Sequence, residues 1–313
     1  MSARLLGLHH VTATVDDAQS DLDFCLGVLG LRLVKKTVNF DNHSVYHFYY
    51  GDERGTPGTI WTTFPYRGWG VPQGIHGKGQ ITVTAFSVPR ESLAFWRDRL
   101  AAHRLDFREL PGRFGEPSLE IRDPSGLVFH LVGGDDPRAP WTAAGIGMEN
   151  AVRGLHSVTM LVRQSTRTLE LMTGVLGWRI VTRAERATRV ATGGDGPGHV
   201  IDVVDAPEVP VALNGIGTVH HVAMAIGTDE EQLQLREELV ALGLAVTEVR
   251  DRQYFRSIYF REPGGVLFEV ATVTPGFTID EPLAQLGREL RLPPWEEPER
   301  SAIEAALPEV IYA

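Results

Sequence analysis

The 313 residues carry a formal charge of −10 at neutral pH, with 43% hydrophobic and 22% charged side chains. That composition fits a soluble globular chain long enough for two domains with cores of their own, and it gives no case for wholesale disorder. The acidic balance disfavours nucleic acid, and no run of about 18 apolar residues supports a membrane span, so a cytoplasmic protein acting on a small molecule is expected.

In chain order, GLHHVTATV at 7–15 reads as an opening strand, because two histidines break its short apolar run. Ala18, Leu22, Cys25 and Leu29 then recur at helical spacing. Asp16 or Asp17 is available as the N-cap, and Gly30 can end the helix in left-handed geometry. Cys25 is the only cysteine, which excludes an internal disulfide and a Cys-based zinc site, and its place in the apolar stripe marks it as a core thiol. SVYHFYYG at 44–51 and GTIWTTF at 58–64 are β-branched and aromatic, as strands should be. A Gly/Pro-rich connector at 65–77 leads to ITVTAFSV at 81–88, SLEIRD at 118–123 and DPSGLVFHLV at 123–132. A second connector, 134–150, precedes GLHSVTMLV at 154–162. The last unit opens with VHHVAMAI at 219–226. It continues with a helix that has Thr228 or Asp229 ahead of it, Leu235, Leu239 and Leu242 as its stripe and Gly243 after it, and closes on VLFEVAT at 266–272. The tail contains PLAQLGRELRLPPWEEPERSAIEAALP, which predicts short helices broken at Pro293 and Pro294, packed over one half or reaching a neighbouring subunit.

The chain repeats itself. Residues 7–34 match residues 154–181 without a gap, and residues 123–132 match residues 262–271. Every copy runs strand, helix and three further strands. The expected fold is therefore α+β: four βαβββ modules forming two cupped mixed β-sheets flanked by helices. The domains expected are an N-terminal pair of modules at 1–134 (5–64 and 78–134), a C-terminal pair at 152–273 (152–206 and 216–273) and an extension at 274–313.

Metal ligands must converge from different elements, and the repeats show which candidates do so. His10 lies in the opening strand of unit one, His221 in the opening strand of unit four and Glu269 in its closing strand. At the equivalent positions the other copies have Ser157, Thr82 and His130. Only one complete set survives, which places units one and four in one sheet and units two and three in a ligand-free copy. Two imidazoles and a carboxylate that leave one octahedral face open form the facial triad of non-haem Fe(II) oxygenases.

With GLHHVTA at 7–13, TVHHVAMAI at 218–226, DRQYFRSIYFREPGG at 251–265, LFEVAT at 267–272 and LGRELRLPPWEE at 286–297, the chain resembles a known family over nearly its whole length. This is the vicinal-oxygen-chelate (glyoxalase/bleomycin-resistance/extradiol dioxygenase) superfamily, and specifically its ring-cleaving dioxygenases of the hydroquinone type. The resemblance implies one Fe(II), or Mn(II), on His10, His221 and Glu269, a small aromatic diol and O2 as substrates, and a homo-oligomer. It also implies site roles for His9, Thr12, His220, Arg252 and Tyr259. Arg252 would be an electrostatic clamp, Tyr259 a hydrogen-bond donor or acid, His220 a base if it reaches the substrate, and Thr12 a positioning hydroxyl. Strand alternation turns His9 and His220 away from the ligand face unless a bulge redirects them. Catechol-cleaving relatives take all three ligands from their second half, whereas Ser157 stands at that position here, which moves the first ligand to His10.

Two other readings remain open. A glyoxalase-type lyase, isomerase or thiol transferase generally uses a fourth protein ligand, which Thr82 and Ser157 do not supply; a metal-free binding protein for aromatic compounds would need no triad. His43, His47, His76, His103, His156 and His199 read as structural, and His130 as a core histidine at a vestigial ligand position. Phe40, Trp61, Trp69 and Phe255 fit either a pocket or the core.

Overall fold

The computed structural model describes residues 5–312. Four copies of βαβββ follow one another. The first comprises β1 (Leu5–Val15), α1 (Ala18–Leu22), β2 (Arg32–Asn39), β3 (Asn42–Gly51) and β4 (Ile60–Pro65). The second comprises β5 (Gln80–Pro89), α2 (Leu93–Ala102), β6 (Phe107–Leu110), β7 (Ser118–Arg122) and β8 (Val128–Gly134). The third runs through β9 (Gly154–Val162), α3 (Thr166–Gly174), β10 (Arg179–Ala184), β11 (Ala187–Ala191) and β12 (Val200–Asp205). The fourth runs through β13 (Thr218–Ile226), α4 (Asp229–Ala241), β14 (Arg250–Asp251), β15 (Arg256–Arg261) and β16 (Leu267–Thr272).

The strands form two eight-stranded mixed sheets, in the orders β14-β15-β16-β13-β1-β4-β3-β2 and β10-β11-β12-β9-β5-β8-β7-β6. Units one and four share the first sheet and units two and three the second, as the surviving ligand set requires. In each sheet the opening strands of two units pair antiparallel at the centre, β1 with β13 and β5 with β9. Each opening strand also pairs parallel with the closing strand of its own unit.

Local chemistry explains most helix ends. The Asp17 side chain accepts from Ser20 N–H and caps α1, and Gly30 takes φ +68. The first helix departs from a pure α form. It continues as a π-helix over Asp23–Val28, with Leu29 N–H bonded to Phe24 C=O, and this wider turn buries the adjacent Val28 and Leu29 together. α4 has a capping box between Thr228 and Glu231, and Gly243 follows it at φ +84. Its buried stripe is Gln232, Leu235 and Leu239; Leu242 is 59% exposed, because the helix ends one residue before it. Gln232 Nε2 instead donates to the carbonyls of Arg256 and Val270, tying the helix to the sheet edge.

The tail packs on unit one. Leu290 bridges to Lys36, the Tyr46 hydroxyl donates to Pro308 C=O at 3.0 Å, and α5 (Arg300–Ala306) lies against β3. Buried Lys35 anchors it by pairing with Asp280 and Glu281. Among the described residues no helix is long and apolar enough to cross a membrane.

Among the described residues the second sheet gathers no ligand set, and its register corrects one sequence equivalence. Thr12 pairs with His221 in the first sheet, and its copy Thr159 pairs with Val83 in the second. Val83, not Thr82, therefore stands where His221 does: the bulge recurs at the same place in both sheets, at His220 and at Thr82, and unit two is one residue shorter than unit four between its opening and closing strands. His130 pairs with Ala85 as Glu269 pairs with Ala223, so that equivalence holds; His130 is half-buried beside Glu120 at 3.4 Å rather than in the core. The concave face here is filled from within. Arg189 makes a two-pronged pair with Asp202 at 2.7 and 3.0 Å, reaches Glu116 at 2.7 Å and lies 4.6 Å from the ring of Phe114.

Candidate metal centre

Two β-bulges build the site. Leu8 pairs with Met224 and His10 with Ala223, so His9 has no opposite number; Thr12 pairs with His221 and Ala13 with Val219, so His220 has none. An extra residue on one strand re-aims its neighbours, and here it turns both rings of each HisHis doublet towards one face. Strict alternation would have separated them.

His10 Nε2 lies 3.2 Å from His221 Nε2 and 3.3 Å from Glu269 Oε2, and His221 Nε2 lies 2.8 Å from Glu269 Oε2. All three residues are buried. A cation with bonds of about 2.1 Å at right angles would place its donors about 3.0 Å apart, so these separations outline one octahedral face. The charge state fits as well. Burial raises the Glu269 carboxyl, but the His10 and His221 imidazoles outweigh it and hold the group well below its usual range. Burial lowers His221, which favours the neutral ring that metal binding requires. Glu269 Oε2 is buried without a hydrogen-bond partner despite the two nitrogens at contact distance, since neither ring aims an N–H along those lines. A carboxylate oxygen left bare in the interior is destabilising, and a shared cation between the three atoms removes that penalty.

Neighbours fix the tautomers. His9 Nδ1 is 2.8 Å from His10 Nδ1, and burial lowers its pKa to about 3, so it is neutral; its remaining hydrogen bond goes to the Thr272 backbone. His9 therefore accepts from His10 Nδ1–H, which leaves the His10 Nε2 lone pair facing Glu269. His220 Nδ1 stands 2.8 Å from His221 Nδ1 in the same arrangement, its pKa also lowered to about 3 by burial. The Ser257 hydroxyl donates to Glu269 Oε1. Such partners orient ligands and fix which ring nitrogen faces the metal.

A cavity of about 370 Å³ opens beside the triad, within the size range of small-molecule sites. His10, His221 and Glu269 form its floor, with His220, Arg252 and Tyr259 beside them. Phe40, Phe64, Phe255 and Tyr49 provide apolar wall, and Asn39, Asp41, His47, Tyr66 and Asn214 provide polar wall. Arg252 Nε donates to the Tyr259 hydroxyl at 3.1 Å. Burial, reinforced by Glu269, pushes the Tyr259 phenol well above its ordinary pKa, so it keeps its proton. Burial alone would lower the Arg252 guanidinium, but Tyr259 and Asp41 raise it overall.

The structure thus gathers His10, His221, Glu269, His220, Arg252 and Tyr259 around one cavity. His9 and Thr12 lie off it. His9 is buried against His10, and the Thr12 hydroxyl bonds to Thr62 at 2.8 Å. Phe40 and Phe255 line the cavity, whereas Trp61 is core and Trp69 is 49% exposed away from it. His47, expected to be structural, faces the cavity. Its Nε2 bonds to Thr62 Oγ1 at 2.9 Å, and burial holds its pKa well below the usual histidine value. The alternation H-F-Y in β3 put His47 on the same face as Tyr49, and that was the signal available for it.

The profile of the Glyoxalase/Bleomycin resistance protein/Dioxygenase superfamily matches residues 7–131 and 154–270. The chain belongs to this superfamily. MhqO of Bacillus subtilis (strain 168), named as a ring-cleaving dioxygenase, is 42% identical over 308 residues, covering 98% of this chain and 97% of its own length. The chlorohydroquinone/hydroquinone 1,2-dioxygenase of Sphingobium indicum is 37% identical over 298 residues, 93% of this chain and 92% of its own. A crystal structure described as a dioxygenase from B. subtilis superposes with a TM-score of 0.94 at 41% identity, covering 99% of each chain. These superfamily relatives span both halves of the chain, so the resemblance includes the metal-bearing sheet and its filled counterpart alike.

Proposed function

We propose that this protein is a metal-dependent ring-cleaving dioxygenase that opens a hydroquinone-like aromatic diol with O2, using Fe(II) or Mn(II) held by His10, His221 and Glu269. The observation that carries the proposal is the convergence of two imidazole nitrogens and one carboxylate oxygen, 2.8–3.3 Å apart, on the floor of a cavity with aromatic walls. The relative named for chlorohydroquinone and hydroquinone supports the substrate class. When bound, a divalent iron or manganese ion supplies Lewis acidity for a phenolic oxygen and a path for electrons between diol and O2.

The side chains divide the remaining work. Phe40, Phe64 and Phe255 hold the ring and exclude water from it. Arg252, cationic and mostly buried, stabilises negative charge on the diol oxygen as its proton leaves. Tyr259, protonated and bonded to Arg252, is a donor within the same cluster. His220 takes a role different from a base. With Nδ1 accepting from His221, its proton sits on Nε2, so it presents a donor to the cavity. That leaves His47 as the neutral imidazole that can take the diol proton. His9 and Thr12 act only through neighbours, His9 by setting the His10 tautomer and Thr12 through Thr62. A homo-oligomer in the cytoplasm belongs to the same proposal, with sedimentation and cell fractionation as its checks.

Oxygen uptake by Fe(II)- or Mn(II)-reconstituted protein, tested against a panel of hydroquinones and catechols, is the direct experiment. One O2 consumed per diol is expected. His10→Ala, His221→Ala and Glu269→Ala should each lose stoichiometric metal and turnover together. No uptake with any diol by fully metallated protein refutes the reading, and a variant that keeps both metal and activity rejects that residue as a ligand.

A further inference from the structure

β2 and β14 are opposite edges of the metal-bearing sheet, yet they meet over the cavity. The turn after β2 carries Asp41, whose Oδ2 accepts from an Arg252 terminal nitrogen at 3.2 Å and whose Oδ1 accepts from Arg250 at 3.3 Å. The turn is itself fixed. Asn39 Oδ1 accepts from Asp41 N–H at 2.9 Å, while Asn39 Nδ2 donates to the Tyr66 hydroxyl at 2.9 Å. Arg252 is thus held at two points, by Tyr259 on its Nε side and by Asp41 at its far end. A guanidinium held at one nitrogen can swing about that bond, and a second anchor fixes its plane.

We propose that Asp41 is a positioning residue, which from the opposite edge of the sheet sets the plane of the Arg252 guanidinium and so the strength with which the cavity binds a phenolic oxygen. The identity of that ligand rests on the dioxygenase reading; the anchoring does not. Asp41 is 59% exposed on its side chain, so the pair is screened by salt and modest in strength. Its effect reaches binding and, through the charge that Arg252 stabilises, turnover as well, because Asp41 acts only through Arg252.

The test uses the metal-loaded protein and three variants, Asp41→Asn, Asp41→Glu and Arg250→Gln. Binding of phenol under anaerobic conditions is measured by calorimetry at low and high salt, alongside KM and kcat for hydroquinone. Asp41→Asn should raise the phenol Kd and the KM by about 2- to 5-fold, the range of an exposed ion pair, with a fall in kcat of similar size and a loss of salt dependence. Asp41→Glu should restore most of the affinity. Arg250→Gln should stay near wild type, since Arg250 neither touches Tyr259 nor lines the cavity. Wild-type affinity and salt dependence in Asp41→Asn overturn the proposal. Equal impairment in Arg250→Gln does so too, because the ion pairs would then merely close the turn. Failure to turn over any diol refutes the dioxygenase reading separately, while the phenol titration still reports on Asp41.

Discussion

Replacing His9 tests how a residue outside the cavity governs the metal. In His9→Leu the side-chain volume is nearly kept but the acceptor for His10 Nδ1–H disappears. Without metal, His10 can move its proton to Nε2, where His221 Nε2 at 3.2 Å is within reach; the Thr272 carbonyl loses its His9 donor with or without metal, which lowers stability but cancels in the affinity. Binding a cation forces the proton back to Nδ1, now a buried donor with no partner, at a cost of about 1–3 kcal/mol. At about 1.4 kcal/mol per decade this weakens metal affinity by roughly 5- to 150-fold, overlapping the 10- to 100-fold typical of outer partners of metal ligands. His9→Gln, whose Oε1 can accept the same hydrogen bond, should recover most of the loss. Anaerobic competition titration against a calibrated chelator reads the affinity, and thermal unfolding of the metal-free forms reads the control. Wild-type metal affinity in a folded His9→Leu would refute the tautomer argument.

Arg252→Ala should retain a full complement of metal while kcat falls by at least about 100-fold, the scale of a lost charge-stabilising donor; ordinary kinetics would remove Arg252 from the chemistry. Ser257→Ala should lower the stability of the metal-free protein by about 1–3 kcal/mol in denaturant titration, because it leaves Glu269 Oε1 buried without its donor; no change would mean that the carboxylate finds another partner. Asp123 and Asp21 lie buried near each other, with pKa values raised to about 7 and about 6, chiefly by burial. Since a raised folded pKa gives stability that is present below the unfolded value and lost as pH rises through the folded one, the wild type should lose stability between pH 4 and pH 7 relative to Asp123→Asn. Parallel pH profiles of melting temperature for the two proteins would contradict this.

The arrangement of the four modules was legible because the repeats differ in chemistry. Ser157 and His130 marked the copies that had lost ligands, and units one and four had to share a sheet for His10 to meet His221 and Glu269. Helix ends were legible through Asp17, Thr228, Gly30 and Gly243, whose side chains or backbone freedom act locally. What the pattern hid was register. A bulge inserts one residue and flips the alternation of faces at a point the sequence does not mark, so the aim of His9 and His220 depends on hydrogen bonding between strands remote in sequence, while the match of Val83 to His221 depends on a one-residue difference in length between units two and four. The π-helix at Asp23–Val28 escaped for a related reason, since one extra residue per turn leaves the apolar spacing nearly unchanged. The Asp41 contact with Arg252 joins residues at opposite ends of the chain and left no local signature at all.

The packed concavity of the second sheet bears on how such a duplicated architecture can be engineered. Substituting histidine at Ser157 and Val83 and glutamate at His130 would supply three donors again, but Arg189, Asp202, Glu116 and Phe114 occupy the room a diol would need, and the Arg189 charge would repel an incoming cation. Removing Arg189 alone would take a cation from beside two acids, Asp202 and Glu116, with His156 at 3.4 Å still beside Glu116, while removing the acids would leave the arginine buried beside the ring of Phe114. A two-centred descendant must therefore clear Arg189 together with its acids, and move Phe114 aside, before this face has room for a diol.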